Sequence, residues 1–462
     1  MFKDMWPGYY PNELHIGYVT NGVHFSTWVS KEWNEFCMSE LGDSFKQNSV
    51  NCGKRILNIA DNKIWTVRKH QKNNLIKYIK KRLLEPETVK FDNPKQIIEI
   101  RNSLKDNVLT IGFARRFATY KRAYLLFTDI KRLSKIVNNP SRPVLFIFAG
   151  KAHPDDIEGQ SYIRRIVELS KTPEFIGKVI FLQNYDMELA RHMVQGVDVW
   201  LNNPVRPMEA SGTSGMKAVV NGVLHFSVLD GWWVEGYKPD AGWALPQEQT
   251  YNDNEFQDAL DVETMYSIIE NDIIPSYYQT NRSNIPEKWV GYIKNSMSQI
   301  APDFTSSRML YDYENKFYNK LFVRGKQIKE DDFKLAKDIV AWKKYVSSNW
   351  DDIQIVSVNQ VDTSKDPIVI GEKYKVEVVL RLNRIASYDV GVELVVAESI
   401  EDNNVVVKYT QEFSDIKSEG NIVTYSLNII PEEPGVFDIG IRIYAKNPNL
   451  PHRQDFCLVK WI

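Results

Sequence analysis

The sequence predicts an α/β protein with a doubly wound parallel sheet, followed by an antiparallel β-sandwich. Between Val108 and Gly242, short apolar runs alternate with amphipathic segments, the pattern of buried parallel strands joined by helical crossovers. After Trp350, apolar runs of strand length are separated only by turn residues, which is typical of a sandwich. A chain of 462 residues is long enough for more than one domain with its own core.

The N-terminal part is predicted to be irregular and then helical. Asp61 is expected to cap a long helix that runs to about Leu84, with Pro86 marking its end, and a polar linker at Asp92 precedes a second helix. We therefore divide the chain into a connecting segment with helices (1–105), an α/β unit with trailing helices (106–345) and the sandwich (346–462).

Each later element follows from its apolar pattern. The strands predicted in the α/β unit are Val108–Phe113, Val144–Ala149, Val179–Leu182, Val197–Leu201 and Val223–Val228. The crossovers between them are Tyr120–Ile136, Ile157–Leu169, Met187–Val194 and Met216–Asn221. Helices are then predicted within Asn254–Phe322 and over Asp331–Lys344. The sandwich strands are Ile353–Val358, Tyr374–Leu380, Val392–Val396, Val405–Tyr409, Val423–Ile429 and Val436–Tyr444.

Composition argues against several classes of function. Lys plus Arg number 58 and Asp plus Glu 59, so the net charge of −1 gives no electrostatic basis for binding nucleic acid or a charged membrane. Basic residues between Arg68 and Arg82 alternate with apolar ones, which predicts the solvated face of a helix. No apolar stretch reaches the length of a membrane span. Scattered cysteines and histidines predict a reducing, cytoplasmic setting and no metal site.

The run from Glu209 to Lys217 is the strongest sign of chemistry. Small residues fill every position from Ser211 to Gly215, and Lys217 follows almost at once. Small residues let the backbone approach an anion closely, and a loop that enters a helix directs free N–H groups at it. A lysine just past such a loop could carry a covalently held cofactor that bears a phosphate. An ordinary turn with a surface lysine is the alternative.

Two further clusters follow predicted strands of the α/β unit. Arg115, Arg116, Lys121 and Arg122 come after the first strand, and arginine offers a two-pronged donor to phosphate. The segment Gly150-Lys-Ala-His153 comes after the second strand. Since ligands of doubly wound sheets bind beyond the carboxyl ends of the strands, these segments and the Glu209–Lys217 loop predict two phosphate sites. Glu209 would then be free for another task.

These motifs resemble the pyridoxal-phosphate signature of the α-glucan phosphorylases, which act on glycogen, starch or maltodextrin. The loop reads Glu-Ala-Ser-Gly-Thr-x-x-Met-Lys and is followed by Asn221-Gly and Leu229-Asp-Gly. Other similar segments, in the same order, are Val19-Thr-Asn-Gly-Val with Trp28, Arg116-x4-Lys121-Arg122, Gly150-Lys-Ala and Val179-Ile-Phe-Leu-x-Asn-Tyr185. The resemblance is closest to the short bacterial and archaeal branch. It implies a Rossmann-like lobe of a two-lobed, GT-B-type glycosyltransferase.

The resemblance implies a role for each matched residue. Lys217 would hold pyridoxal 5′-phosphate covalently, and the other cofactor-binding residues would be Thr213, Ser214, Gly215, Arg115 and Tyr185. The backbone N–H groups of Thr213 and Ser214 would bind the cofactor's phosphate, with Arg115 nearby. Inorganic phosphate, the substrate that attacks the glucan, would be bound by Arg116 and Lys121. The glucosyl unit would be bound by Asn21, Glu209, Ser211 and Gly212. Catalysis would thus rest on Lys217, Arg116, Lys121 and Glu209.

The implied reaction is phosphorolysis of an α-1,4-glucan to α-glucose 1-phosphate. In this family the cofactor's phosphate, rather than its ring, does the work, by relaying a proton to the substrate phosphate. A phosphate ester has a second pKa near about 6, which suits proton transfer close to neutral pH. Arg115, Arg116 and Lys121 would offset the repulsion between two adjacent phosphates.

The sequence also departs from the family pattern. Ala118 stands where histidine is common within the Arg-x4-Lys motif, and Asp186 stands where arginine is common after Tyr185. The second change could reorganise the support of the cofactor phosphate. Trp232 and Trp233 replace small residues and could be either sugar platforms or a packed aromatic pair.

The family's first lobe has no counterpart in this sequence. We therefore expect the C-terminal portion of a phosphorylase, whose partner would be a missing N-terminal lobe, and we expect the chain alone to be nearly inactive because a half-cleft cannot exclude water. A homodimer is possible.

Two other functions compete with this one. A retaining sugar-nucleotide glucosyltransferase of the starch-synthase type would place a second glutamate eight residues after Glu209, where this chain has Lys217. A non-catalytic carbohydrate-binding or assembly fragment would work through the sandwich. Its aromatic residues Tyr374, Tyr388 and Tyr425 are, however, also expected from strand composition alone.

Overall fold

The structure, a computed structural model, describes residues 3–42, 50–85, 94–246, 253–360, 368–400 and 404–462. The chain forms two compact units. One is Val19–Lys316, and the other joins Met1–Tyr18 to Phe317–Ile462. The three-part division expected from the sequence stays a prediction. The expected helix end at Pro86 and the linker at Asp92 lie outside the described residues.

The unit Val19–Lys316 is built on a parallel sheet. Its strands are β1 (Leu109–Ala114), β2 (Val144–Ala149), β3 (Val179–Leu182), β4 (Val199–Asn202), β5 (Leu224–Val228) and β6 (Trp243–Leu245). Their order is β3-β2-β1-β4-β5-β6, with parallel pairing throughout. Apolar side chains are buried on both faces of the sheet, in two core clusters. The predicted doubly wound α/β fold is confirmed.

The order of the strands fixes where a site can form. The chain runs outward from β1 through β2 to β3, returns to β4, and then continues away from β1 through β5 to β6. The carboxyl ends of β1 and β4 therefore flank the crevice at which doubly wound sheets bind their ligands. Arg115 directly follows β1, and the segment that leads to Glu209 follows β4.

Helices cover the sheet and extend beyond it. They are α1 (Phe25–Trp28), α2 (Lys31–Leu41), α3 (Val50–Ile56), α4 (Asp61–Arg82), α5 (Pro94–Ser103), α6 (Ile130–Val137), α7 (Ile157–Ser170), α8 (Met187–Gly196), α9 (Thr213–Val219), α10 (Trp232–Gly236), α11 (Asn254–Ile268), α12 (Ile274–Tyr278), α13 (Glu287–Gln299) and α14 (Ser306–Tyr313). Asp129, Asp156 and Asp186 cap α6, α7 and α8 by accepting a hydrogen bond from the first turn.

Two expectations about α4 need correction. The N-cap is Ala60, and Asp61 is the first helical residue, where its carboxylate pairs with Lys294 at 2.6 Å. The basic residues of α4 are not all solvated, since Arg68 and Lys72 are buried. Lys72 pairs with the buried carboxylate of Asp198, and its burial is possible because that counter-charge lies within the same core.

The second unit contains the β-sandwich. Its strands are β7 (Gln354–Asn359), β8 (Tyr374–Arg381), β9 (Val390–Ile400), β10 (Asn404–Glu412), β11 (Asp415–Glu419), β12 (Ile422–Ile429), β13 (Asp438–Ala445) and β14 (Val459–Trp461). They form two antiparallel sheets, β10-β9-β13-β14 and β11-β12-β8-β7, over one shared core. The predicted sandwich is confirmed, with two additional strands. The polar, exposed β11 and the three-residue β14 give little periodic signal.

Other parts of this unit also differ from expectation. The helix predicted over Asp331–Lys344 is part of α15 (Asn319–Asn349), which is interrupted by positive φ angles at Asp331, Asp332 and Phe333. Tyr425 is buried in the core, whereas Tyr388 is 77 % exposed.

A buried ion network joins the first residues of the chain to the sandwich within this unit. The Arg442 side chain is fully buried. Its guanidinium donates to Glu13 at 2.5 Å and 2.9 Å, and to Glu393 at 2.7 Å. The network holds the segment around Glu13 against β13.

Among the described helices, none combines the length and the apolar character needed to cross a membrane.

Candidate functional site

The carboxylate of Glu209 lies between two cations at the crevice of the sheet. Its Oε2 atom accepts a hydrogen bond from Arg115 Nη2 at 2.6 Å and another from Lys121 Nζ. The three side chains are 12 %, 8 % and 8 % exposed, respectively. Burial acts to raise the pKa of Glu209, but Arg115 and Lys121 outweigh it and lower that pKa below its ordinary value. Glu209 was expected to be free for another task; its carboxylate pairs with the basic cluster, and its role in binding the sugar stays a prediction.

The backbone brings these residues together from distant parts of the sequence. Arg115 follows β1, and Lys121 ends a short 3₁₀ turn at Thr119–Lys121. Lys121 Nζ also lies 4.4 Å from the centroid of the Tyr120 ring. Glu209 arrives from β4, which pairs with β1. The cluster thus exists because the sheet reverses its order between these two strands.

Arg115 keeps donors available after it has bound Glu209. Its Nε and Nη1 atoms are buried and have no hydrogen-bond partner among the described residues. Burial lowers the pKa of Arg115, while Glu209 acts to raise it. A buried donor without an acceptor costs about 1–3 kcal/mol, so an anionic oxygen that accepted hydrogen bonds from these two nitrogens would remove that cost. Burial raises the pKa of Tyr185, and the charge of Arg115 opposes that rise, which places the phenol in the field of the guanidinium.

A second strand end fixes the loop that carries Glu209. Asp230 accepts hydrogen bonds from the backbone N–H groups of Glu209 and Gly231, each at 2.8 Å. Trp232 donates its backbone N–H to the carbonyl of Ser211 at 2.8 Å. At Gly231, φ is +55° and a Cβ atom would lie 2.7 Å from the Ser211 carbonyl oxygen. The segment after β5 therefore anchors the loop after β4, a role that the sequence analysis did not assign to Asp230.

Lys217 lies within α9, and an aromatic ring faces its ammonium group. Its Nζ atom is 3.7 Å from the centroid of the Trp28 ring. Burial lowers the pKa of Lys217. The side chain of Asn221 donates hydrogen bonds to the backbone carbonyl of Lys217, at 2.8 Å, and to that of Trp28, at 3.0 Å. It thereby fixes the position of the lysine relative to the ring. Desolvation favours the neutral amine, the form that reacts with a carbonyl.

Gly215 allows α9 to pack closely on the sheet. A Cβ atom at this position would lie 2.6 Å from His225 Cε1 and 2.9 Å from the Trp232 ring. The neighbouring Ser214 Oγ accepts a hydrogen bond from Trp200 Nε1 at 3.2 Å. Trp232 and Trp233 are buried, which resolves their role in favour of the packed aromatic pair.

Not all of the remaining predicted site residues lie in the Glu209 cluster. Asn21 is exposed and donates to Ser211 Oγ at 3.1 Å, so these two sugar-binding candidates are in contact. Gly212 adopts a φ of +84° at the start of α9, directly before Thr213. Arg116 is exposed and makes no ion pair with the described residues, so its role as a phosphate ligand stays a prediction.

Arg82 supports the turn that carries Tyr185. It donates from Nη2 to the carbonyls of Gln183, at 3.1 Å, and Asn184, at 2.6 Å, and its Nη1 lies 3.4 Å from Asp186 Oδ2. The position after Tyr185, where arginine is common in the family pattern, holds Asp186. Arg82 of α4 therefore supplies an arginine at the same turn. Sequence reasoning missed Arg82 because its position depends on how α4 packs.

Comparison with known proteins identifies the family. The carbohydrate phosphorylase model matches residues 1–241, and the model of the glycogen phosphorylase C-terminal domain matches residues 350–462.

No group of three or more His, Cys, Asp or Glu residues in the described ranges could hold a metal ion.

Individual relatives agree with the family models. The chain is 37 % identical to maltodextrin phosphorylase of Thermococcus litoralis, over all of this chain and 54 % of that protein. It is 46 % identical to glycogen phosphorylase of Aquifex aeolicus, over 67 % of this chain and 44 % of that protein. It is 30 % identical to glycogen phosphorylase of Mycobacterium tuberculosis (strain H37Rv), over 99 % of this chain and 53 % of that protein. The chain spans about half the length of the curated relatives it matches, and the sugar-nucleotide transferase alternative is not favoured. The resemblance seen in the sequence motifs is confirmed: the chain belongs to the carbohydrate phosphorylase family.

Proposed function

We propose that this chain supplies the phosphate-binding and cofactor-binding half of an α-1,4-glucan phosphorylase, a cytoplasmic enzyme that releases α-glucose 1-phosphate. The main support is the Glu209 cluster at the crevice between β1 and β4. It holds two buried cations, one carboxylate and two further buried donors of Arg115 without partners. The excess of positive charge and of free donors suits a phosphate group.

The residues present fit pyridoxal 5′-phosphate. Lys217 offers a partly desolvated amine, and Trp28 offers an aromatic face beside it. Arg115 offers its unpartnered nitrogens, and the loop ahead of α9 has no side-chain cap of its own. When bound, the cofactor would supply a phosphate group with a pKa near about 6, which can exchange a proton with the substrate phosphate.

The chain's own residues would bind and orient the substrates. Lys121 and Arg116 would neutralise inorganic phosphate beside the cofactor site, because two phosphates in a low-dielectric cleft repel each other strongly. Bound phosphate would pair with the cations that Glu209 contacts. Glu209 would then accept a hydrogen bond from a hydroxyl of the glucosyl unit. Asn21 and Ser211, which already contact each other, would bind further hydroxyls. Asp230 would keep Glu209 in place.

Borohydride reduction tests the proposal. The purified chain is incubated with pyridoxal 5′-phosphate, reduced and digested, and the peptides are mapped by mass spectrometry. We expect a phosphopyridoxyl group on Lys217 and none on Lys121, whose amine is paired with Glu209. The variant Lys217→Arg keeps the positive charge and should lose the label. Label on another lysine, or an unmodified Lys217 in the parent protein, would contradict the proposal.

Activity is proposed to need the rest of the phosphorylase. The relatives are about twice as long as this chain, and a site that is open to water cannot favour charge development on the sugar. We expect no measurable phosphorolysis by the purified chain, and activity after addition of the N-terminal half of the Thermococcus litoralis relative. Turnover by the chain alone would refute this part of the proposal and leave the cofactor assignment intact. Homodimer formation also stays a prediction.

A further inference from the structure

Two histidines stack on each other where the first residues of the chain meet the sandwich, within one compact unit. The ring centroids of His15 and His452 are 4.0 Å apart, with an interplanar angle of 24°. His452 precedes the short 3₁₀ turn Arg453–Asp455, which lies between β13 and β14. The side chain of His15 is 33 % exposed, so protons from the solvent can reach the pair. The proposed function uses neither histidine.

Gln454, in the middle of this turn, connects it to the segment around His15. Gln454 is 3 % exposed. Its Oε1 atom accepts hydrogen bonds from the backbone N–H of His15, at 3.0 Å, and from His15 Nδ1, at 2.7 Å. Its Nε2 atom donates to the backbone carbonyl of Glu13 at 2.9 Å. These two backbone contacts fix the orientation of the amide, so His15 Nδ1 faces an acceptor and carries a hydrogen.

His452 contributes to the turn through a ring nitrogen that carries no hydrogen. Its Nδ1 atom accepts a hydrogen bond from the backbone N–H of Gln454 at 3.2 Å. Asp455 completes the cap by accepting a hydrogen bond from the backbone N–H of His452 at 3.0 Å. The hydrogen of the neutral ring therefore lies on Nε2, and a second proton can bind only at Nδ1. That proton would remove the acceptor that Gln454 uses.

The charges around the pair oppose a second proton on His452. Arg453 is adjacent in the chain, and Lys343 of α15 donates to the backbone carbonyl of Asp455 at 3.1 Å. Asp455 Oδ1 lies 3.6 Å from His15 Nε2, so this carboxylate favours a positive charge on His15. A charge on His15 would in turn lie directly against the ring of His452. Burial, His15 and Arg453 lower the pKa of His452, and Asp455 acts to raise it.

Other ionisable groups near the turn are paired or uncharged. Glu13 and Glu393 both pair with the buried guanidinium of Arg442. Burial raises the pKa of Tyr9 to about 12 and also raises the pKa of the Cys457 thiol, so both groups are uncharged at neutral and acid pH. A change of charge at this turn between neutral pH and pH 5 therefore falls on the two histidines.

We propose that the two histidines form an acid-sensitive latch, which releases the segment around His15 from the sandwich when His452 gains a proton. The proton on Nδ1 breaks the hydrogen bond from Gln454, and the like charges of the two rings separate the stack. Gln454 then no longer holds the backbone of His15 and Glu13. Arg442 still binds the carboxylate of Glu13, so the release is local.

The direction of the change with pH follows from the lowered pKa of His452. The closed turn binds fewer protons than the released one. The latch is therefore closed above the ordinary histidine pKa of about 6.5, and it opens as the pH falls below that value. At pH 5.0, one histidine can shift the opening equilibrium by at most about thirtyfold.

Amide hydrogen exchange of the full chain tests the latch. Peptides that contain the His15 amide are followed by mass spectrometry at pH 7.5 and pH 5.0, with correction for the intrinsic pH dependence of exchange. The protection factor of the parent should fall by at least about fivefold at the lower pH. In His452→Asn it should fall by less than about twofold, because asparagine offers the turn an acceptor that does not titrate.

The matched control is His70→Asn, which removes an exposed histidine of α4 and should behave as the parent does. Equal protection of the parent at both pH values, or equal falls in the parent and in His452→Asn, would overturn the inference. His452→Asp is the second variant, because its carboxylate also caps a helical turn. Loss of protection in both variants already at pH 7.5 would show that the imidazole does more than accept a hydrogen bond, and would overturn the inference as well. Failure of the Lys217 labelling experiment would bear only on the proposed function.

Discussion

Replacing Glu209 by glutamine tests the electrostatic account of the site. Glu209→Gln keeps the shape of the side chain and removes the negative charge that Arg115 and Lys121 share. Without that charge, two cations that are each 8 % exposed lack compensation. The variant should therefore be less stable than the parent when no other anion is present.

The structure sets the size of the effect. Removal of one partner from a fully buried ion pair costs about 3–5 kcal/mol. Glu209 is 12 % exposed, and the flexible stem of Lys121 lets its ammonium group move toward water. We therefore expect the free energy of unfolding to fall by less than in a fully buried pair, by about 2–3 kcal/mol.

Inorganic phosphate should restore this loss. A ligand at a hundred times its dissociation constant stabilises the folded protein by about 2.7 kcal/mol. In the variant, phosphate meets two uncompensated cations, whereas in the parent it must displace Glu209. Phosphate should thus raise the stability of Glu209→Gln more than that of the parent.

Urea unfolding, followed by tryptophan fluorescence at constant ionic strength with and without phosphate, measures both effects. Glu40→Gln is the control, because Glu40 pairs with Lys63 at the surface, where a single ion pair contributes at most about 1 kcal/mol. The difference between the parent and Glu209→Gln should also shrink as the pH falls below about 4.5, since a carboxylate with a lowered pKa loses its contribution only on protonation. Equal stability of the two proteins at pH 7, or equal stabilisation by phosphate, would refute the reasoning.

Three further predictions concern stability. His225 is buried and its pKa is lowered to about 3, so the free energy of unfolding of the parent should fall by up to about 1.4 kcal/mol per pH unit below pH 6.5. In urea unfolding, the stability of His225→Gln should depend less steeply on pH. Equal slopes for the two proteins would contradict this. Gly231→Ala places a Cβ atom 2.7 Å from the Ser211 carbonyl and should cost about 1–3 kcal/mol; it should also reduce cofactor labelling of Lys217, and unchanged labelling would show that the anchor is dispensable. Arg442→Met leaves the buried Glu13 without a cation and leaves Glu393 with Arg453 as its partner. It should lower the stability of the sandwich unit by about 3–5 kcal/mol in thermal unfolding, and a loss below about 1 kcal/mol would mean that the network contributes little.

Much of the fold was predictable because its signals are local. The strands β2 and β3 were predicted with the bounds that the structure shows, since each is a continuous apolar run closed by glycine, lysine or proline nearby. The short strands β6 and β14 were missed because three residues show no periodicity. Asp61 was predicted as a cap but lies one residue inside α4, a shift that is usual at helix ends.

The candidate site was predictable in its components but not in its pairing. The motifs around Arg115, Lys121 and Glu209 indicated phosphate chemistry, and the structure brings these three side chains together. Their ion pairs were not foreseen, because the net charge of a cluster depends on which strands are neighbours. Trp232 shows the same limit, since its sequence position allowed a sugar platform and only its packing against His225 and Phe304 shows that it is buried.

The sequence by itself determined the fold class, the family and the loop that leads to Lys217, because each depends on residues that are close together along the chain. Only the tertiary structure decided that Glu209 pairs with Arg115 and Lys121, that Asp230 anchors Glu209 and that Trp28 faces Lys217. These contacts join residues far apart in sequence, and they form where the parallel sheet reverses its strand order. Charge, burial and hydrogen bonding at that crevice are properties of the packed chain, which is why local patterns do not contain them.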